Sequence, residues 1–401
     1  MDRRLRVAAI CTIYYEWSHA DAIVTKFIKG MSTDEGFFAP EVDVVALYID
    51  HVLESDIGVE LAREAGVPIY PSIRRALHAG GDSLGVDAVL LIGEHGDYPW
   101  NEQGRHMYPR RYFFEQIAGV FAESGRVVPV FNDKHFAYDF TDARWVWERS
   151  RQLDIPLMAG SCLPLAWRHP WLEHDKGAPI EEALAIGYGG MEAYGYHTLE
   201  TLQCMVERRV GGETGVAAVQ YLEGEAVWRA RDEGGWSAEL AQAALDSVPG
   251  RQRVVLKEGD EVAVFLLEYA DGLRAAALMV PGAVSDESWL YAARVNGEVQ
   301  ACQAFLQPDG PGASFGYLSR NIQRFFQTGV APYSPARTLL TGGVIDAVMQ
   351  SRHQAGRRLE TPYLNVAYQS YDAMPIRPRA TRPHGASLDR EAPDLLLPWR
   401  D

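Results

Sequence analysis

Cysteine is scarce in this chain: four residues in 401, at positions 11, 162, 204 and 302. None forms a C-x-x-C pair, which excludes a disulfide framework and a structural zinc site of fixed spacing. Such isolated thiols suit a reduced, cytoplasmic protein. Positive charge is also short, with 38 Lys and Arg against 54 Asp and Glu and a net charge of −16. No long acidic run accounts for that excess, and its sign argues against nucleic acid or an anionic membrane as partner. Long apolar runs are missing too; none approaches the roughly 18 residues of a membrane span. Arg3 and Arg4 precede an apolar run, but no small-residue cleavage site follows, so the run reads as a first strand and not as a signal peptide.

What is present is enough for roughly two domains, at 47% hydrophobic residues. Buried apolar runs at Val7–Ile13, Val42–Ile49, Val86–Ile92, Val127–Phe131 and Ile155–Met158 alternate with amphipathic stretches. One of these carries Ala20, Ile23, Val24, Phe27 and Ile28 at helical spacing. Strand–helix alternation predicts a parallel sheet covered on both faces over residues 1–161. The first three runs should be neighbours, with the ligand crevice beyond their carboxyl ends. Residues 162–370 read as an α+β domain with a mostly antiparallel open sheet. Its strand-like runs are Gly215–Leu222, Ala263–Tyr269, Arg274–Val280, Ala292–Val295 and Val299–Leu306, with Asp271-Gly272 and Asn296-Gly297 as hairpin signals. Helices return at Leu318–Gln327 and Pro335–Gln350, and from about Tyr371 a Pro/Arg-rich segment reads as a mobile or strapping tail through residue 401.

Glycine is absent where it matters most. A dinucleotide-binding turn uses G-x-G-x-x-G for a tight bend, close backbone approach to the pyrophosphate and helix–strand packing. Aligned on the first strand, those slots hold Cys11, Ile13 and Glu16. A β-branched side chain at Ile13 takes the space a pyrophosphate needs. The Glu16 carboxylate stands where the helix N-terminus would attract an anion. Ser18 and Asp21 form a capping-box pattern that starts the helix late and leaves an aromatic turn of Tyr14, Tyr15 and Trp17. Asp50 closes the second strand, where a ribose-binding acid belongs, although Asp at a strand end is also ordinary turn chemistry.

Several further segments carry a resemblance. His19 stands three residues after the third glycine slot, and "AVLLIGEHGDYP" reads as a strand with its substrate-facing loop. "SGRVVPVFNDKHFAYDF" places Asp133-Lys134-His135 in the slot of a Glu-Lys-Pro motif. "YGYHTLETLQCM" places His197 and Glu200 on a G-x-H-x-x-D segment, with Ala193 where an acid would precede it, and "SPARTLLTGGVIDAVMQ" resembles a terminal helix that packs back on the first domain. In this order and spacing the chain resembles the glucose–fructose oxidoreductase / inositol dehydrogenase / MocA (Gfo/Idh/MocA) family, as a divergent member with a degenerate glycine motif. The resemblance implies a Rossmann-like first domain, NAD(P) as cofactor and a sugar or polyol as substrate. It also implies Lys134 polarising the reacting oxygen and His197 as acid/base, a role a histidine can fill near neutral pH. Pairing in a dimer or tetramer through a broad sheet face is a further family expectation.

Around these two residues the sequence groups Glu94, His95, Asp97, Tyr98, Asp133, His135 and Glu200 as substrate contacts. His95, Asp97, His135, Glu192 and His197 form a candidate N/O ligand set for zinc or manganese. That set has no fixed spacing, and its alternative is a hydrogen-bonded pocket for sugar hydroxyls. Neither Lys134 nor His197 is expected to support the core. The lost glycines set hydride transfer against two other readings: a metal-assisted sugar lyase, isomerase or hydrolase, and a sugar-binding protein without turnover.

Overall fold

The computed structural model describes residues 3–33, 35–249, 253–281, 288–306 and 313–378. Its first part contains β1 (Leu5–Cys11), α1 (His19–Lys29), β2 (Met31–Thr33), β3 (Gly36–Phe38), β4 (Val42–Ile49), α2 (Gly58–Ala65) and α3 (Ile73–His78). It continues with β5 (Ala88–Ile92), α4 (Arg110–Ser124), β6 (Val130–Asp133), α5 (Phe140–Gln152) and β7 (Leu157–Gly160). Five of these strands form an all-parallel sheet in the order β4-β1-β5-β6-β7. Beyond β4 a sixth position is reduced to one parallel bridge between Leu47 and Ile69. With that bridge counted, the strand order reverses between β1 and β5, the point where such sheets open their crevice.

Alternate residues of β1 and β5 enter two cores, as expected of strands buried on both faces. Ala8, Ile10, Val89 and Leu91 meet α3, α4 and α5, while Val7, Ala9, Cys11, Leu90 and Ile92 meet α1 and α2. The late helix start is observed: the Ser18 hydroxyl caps α1 by accepting from Asp21 N at 3.2 Å, and the Asp21 carboxylate takes Trp17 N at 3.0 Å.

The second part contains β8 (Trp167–His169), β9 (Ile180–Gly187), α6 (Ala193–Val206), β10 (Val216–Glu223), α7 (Glu225–Asp232), α8 (Ala238–Asp246), β11 (Ala263–Tyr269) and β12 (Arg274–Met279). It ends with β13 (Ser288–Val295), β14 (Glu298–Phe305), α9 (Ala313–Thr328), α10 (Ala336–His353) and β15 (Leu359–Glu360). Its eight strands run β15-β10-β11-β12-β9-β13-β14-β8, antiparallel except for the pair β12–β9. Both predicted hairpins form, at Asp271-Gly272 and Asn296-Gly297. The central strand β9 and the helices α7 and α8 were not anticipated. On β9, Ala183 and Ala185 face α6 and α10 while Leu184 and Ile186 face Trp228, Trp236 and Leu240 of the α7–α8 region. The sheet is therefore covered on both sides.

Helices α9 and α10 return to the first part. Tyr317, Leu318, Ile322 and Phe325 of α9 complete the core under α1, and α10 lies against α5 and β10. The described start of the tail is strapped down: Arg377 and Tyr371 both bind the Glu173 carboxylate, and Asn321 binds Ile376 O. The rest of the predicted tail, 379–401, lies outside the described residues.

The turn after β1 depends on one glycine. Tyr14 is fully buried, with its hydroxyl 2.8 Å from Thr25 Oγ1, and a Cβ on Gly58 would lie 2.6 Å from its ring. Gly58→Ala is expected to cost about 1–3 kcal/mol by overpacking, measured by urea denaturation.

Candidate functional site

The carboxyl ends of β1, β5, β6 and β7 meet the start of α6. Thr12 fastens the first two, its N–H donating to Ile92 O at 3.1 Å and its hydroxyl to Glu94 O at 2.7 Å. Glu94 follows β5 and Lys134 follows β6, and Lys134 Nζ lies 3.0 Å from Glu94 Oε1. The second oxygen of Glu94 accepts from Arg110 of α4. All three side chains are buried. Burial alone would raise the Glu94 pKa, but Lys134 and Arg110 overcome it and hold the carboxyl well below the usual range.

The network continues away from the crevice. Arg110 lies 3.3 Å from His135 Nε2, and His135 lies 3.5 Å from Glu192. Arg105, fully buried, binds Glu192 at 3.1 Å and Asp346 of α10 at 3.4 Å. Burial, then the Arg110 charge, lowers the His135 pKa to about 4. Glu192 falls to about 2, because His135 and Arg105 outweigh the cost of burial.

Three imidazoles line the crevice side. His19, in the first turn of α1, has Nδ1 2.6 Å from the buried Asp133 carboxylate. His95 stands beside it, with ring centroids 5.2 Å apart, and burial lowers its pKa to about 4. His197, on the first turn of α6, has Nδ1 2.7 Å from Ser161 Oγ. That hydroxyl also accepts from Leu163 N at 3.1 Å, which fixes its position against the imidazole. Burial first, and Lys134 second, holds the His197 pKa well below 6.5. Beside His197 lies an aromatic wall of Trp289, Tyr194 and Tyr188, with ring centroids 5.2 to 6.2 Å apart. Trp289 is 2% exposed, and its indole N–H has no hydrogen-bond partner among the described residues.

Glu94, His95, Asp133, Lys134 and His197 thus come together at the crevice. Others of the anticipated residues do not. Glu200 is fully buried and turned toward α10, accepting from Thr341 Oγ1 at 2.7 Å and Ser161 N at 3.3 Å. His135 packs on Tyr196 beneath the site, and Asp97 is solvent-exposed. The five-residue ligand set for zinc or manganese is corrected on the same grounds. His135 and Glu192 are engaged with guanidinium groups, Asp97 is exposed, and no three His, Cys, Asp or Glu among the described residues are grouped to hold a metal. His19, Ser161, Trp289, Tyr188 and Tyr194 were missed as site residues. Only His19 had a sequence signal, its position after the first turn.

The first turn does not fit a dinucleotide pyrophosphate, which needs free N–H donors and bare backbone. Thr12 N, Trp17 N, Ser18 N and Asp21 N all have partners within the protein. Cys11 is buried in the sheet and Ile13 is 2% exposed. Glu16, itself exposed, lines a pocket of about 320 Å³ between α1 and α2 with Asp21, Asp56, Glu60 and Glu64 against the single cation Lys29, a mostly negative surface beside the turn.

No protein-family model and no curated protein matches the chain. Solved structures do. Myo-inositol 2-dehydrogenase from Lactobacillus plantarum superposes with a TM-score of 0.54 at 13% identity, over 89% of this chain and 99% of that one. Scyllo-inositol dehydrogenase from Lactobacillus casei, with bound NAD(H) and scyllo-inositol, gives 0.54 at 9% identity over 89% and 99%. An oxidoreductase from Agrobacterium radiobacter, in complex with NAD+, L-tartaric acid and magnesium, gives 0.52 at 13% over 89% and 98%. This chain has the two-domain fold of those oxidoreductases.

Proposed function

We propose that the chain is a divergent Gfo/Idh/MocA enzyme that acts on a carbohydrate or polyol, with NAD(P) binding atypical or lost. The observation that carries this reading is the convergence of Lys134, His197 and the His19–Asp133 pair beside an aromatic wall. Asp133 holds His19 through Nδ1, which leaves Nε2 as the base. The Lys134 ammonium offsets negative charge developing on a carbonyl or hydroxyl oxygen. His197, held through Nδ1 by Ser161, presents Nε2 to the ligand, the unpartnered Trp289 N–H suits a ring hydroxyl, and Tyr194 suits the apolar face of a sugar. Such a set removes a proton from oxygen, or from carbon beside a ketone.

The test is ligand-observed NMR with inositols, hexoses and their keto forms, followed by deuterium uptake beside the carbonyl without added nucleotide. Lys134→Met and His197→Gln are expected to slow exchange about 10²–10⁴-fold. A chain that binds none of these compounds would overturn the reading. A metal-assisted reaction is not favoured by the donor set. A binding protein without turnover would hold the sugar but show no exchange.

Four buried free cysteines fit the proposed cytoplasmic location, and among the described residues no helix is long and apolar enough to cross a membrane. A homo-oligomer, dimer or tetramer, and the absence of nucleic-acid and membrane partners remain part of the proposal. Because α7 and α8 cover the outer face of the second sheet, sedimentation should reveal an interface formed elsewhere.

A further inference from the structure

The crevice has a second half, at the carboxyl end of β4. In a dinucleotide-binding sheet the acid closing the second strand accepts hydroxyls of the adenosine ribose. That acid is Asp50. Both of its oxygens already accept phenols: Tyr48 donates to Oδ1, and Tyr98 donates to Oδ2 at 2.7 Å. The Tyr98 ring also lies flat on His51, with centroids 4.7 Å apart and planes 18° apart. Tyr98 belongs to residues 93–109, which leave β5 and fold into a small hairpin. Asn101 N donates to Arg105 O, Met107 N donates to Pro99 O, and Trp100 stacks on His106 at 4.2 Å. Gly96 lets the ring fold back: its φ is +118°, and a Cβ there would lie 2.6 Å from Tyr98 Cε2.

We infer that Tyr98 occupies the ribose seat as an internal ligand, and that with the filled first turn it closes the dinucleotide site of this fold. The two halves are shut by different means. At the first turn Thr12, Trp17, Ser18 and Asp21 N–H are taken within the protein, the buried Ile13 side chain stands in the second glycine slot, and Glu16 sets a carboxylate just before α1. At Asp50 a phenol supplies the hydroxyl that a ribose would bring, and its ring covers the approach. The Tyr98 phenol pKa is pushed well up by burial and by Asp50, so it remains a donor at any pH the protein meets. This inference concerns the nucleotide half alone and is independent of what the polyol half turns over.

The experiment is calorimetry with NAD+ and NADP+ on the intact protein. The wild type is expected to bind neither more tightly than about 1 mM. Tyr98→Ala and Gly96→Ala each open only the ribose seat and should leave binding weak. Ile13→Gly/Glu16→Gly/Tyr98→Ala opens both halves and should tighten NAD+ binding at least about tenfold. A wild-type dissociation constant in the low micromolar range would overturn the inference. So would a triple variant with native circular dichroism that still takes up no NAD+. Sugar or polyol binding, measured separately by NMR, decides the proposed function whichever way the nucleotide result falls.

Discussion

Glu94→Leu is expected to destabilise the protein by about 3–5 kcal/mol, the range for breaking a buried ion pair by removing one partner. Two cations depend on this carboxylate, Lys134 at 3.0 Å and Arg110 on its other oxygen, and none of the three is more than 4% exposed. Leucine would leave two buried cations without the carboxylate between them. Glu94→Gln keeps one hydrogen-bond acceptor and should cost less. The double variant Glu94→Leu/Lys134→Met should recover part of the loss, because one orphaned charge goes with its partner. Urea denaturation of the wild type, Glu94→Leu, Lys134→Met and the double variant gives the coupling directly. Additive losses would mean that the pair does not act as a unit. The expectation that Lys134 could be replaced without structural consequence is corrected by the same geometry, since its removal leaves Glu94 to Arg110 alone.

Acidification is the second large effect. His95, His135 and His174 are lowered to about 4, and His197 is held well below 6.5. Burial is the first cause in each. Between pH 6.5 and about 4 the unfolded chain binds protons that these folded imidazoles refuse, so stability falls as pH drops through that window. Each such group contributes about 1.4 kcal/mol per pH unit, or roughly 2 kcal/mol between pH 6.5 and 5. Glu94 and Glu192, whose folded values are depressed, add a further loss below the ordinary carboxylate range. Glu200 and Asp346, whose values are raised by burial, work in the opposite direction. Moving from pH 7.5 to 5.0 should lower Tm by on the order of 10 °C. His135→Phe should flatten that dependence, measured by calorimetry at several pH values. A flat Tm profile in the wild type would contradict the burial of these rings.

The first sheet was legible because its strands β1, β4, β5, β6 and β7 are dominated by short apolar runs punctuated by turn residues. The hairpins at Asp271-Gly272 and Asn296-Gly297 were legible for a similar reason, since their chemistry is local. Strand β9 was not. Covered on both faces, it shows no alternation, and its charged start at Glu181-Glu182 reads as a loop. The site divided in the same way. Lys134 and Glu94 directly follow strands, so the topology alone brings them to one edge. His135 and Glu200 also sit beside strand ends or on the right helix, but they point into the core, a matter of side-chain direction that spacing does not encode. Trp289 reaches the crevice from β13 only through the tertiary packing that sets β13 beside His197 of α6. No local pattern announces that.

Arg105 carries a mechanical consequence. Its guanidinium grows from the hairpin of the first domain, yet it is anchored in Glu192 at the start of α6 and Asp346 of α10. Swinging the two halves of the molecule apart would draw this fully buried cation away from Glu192. The hinge motion by which a cleft between domains usually admits its ligand therefore carries the cost of separating a buried ion pair.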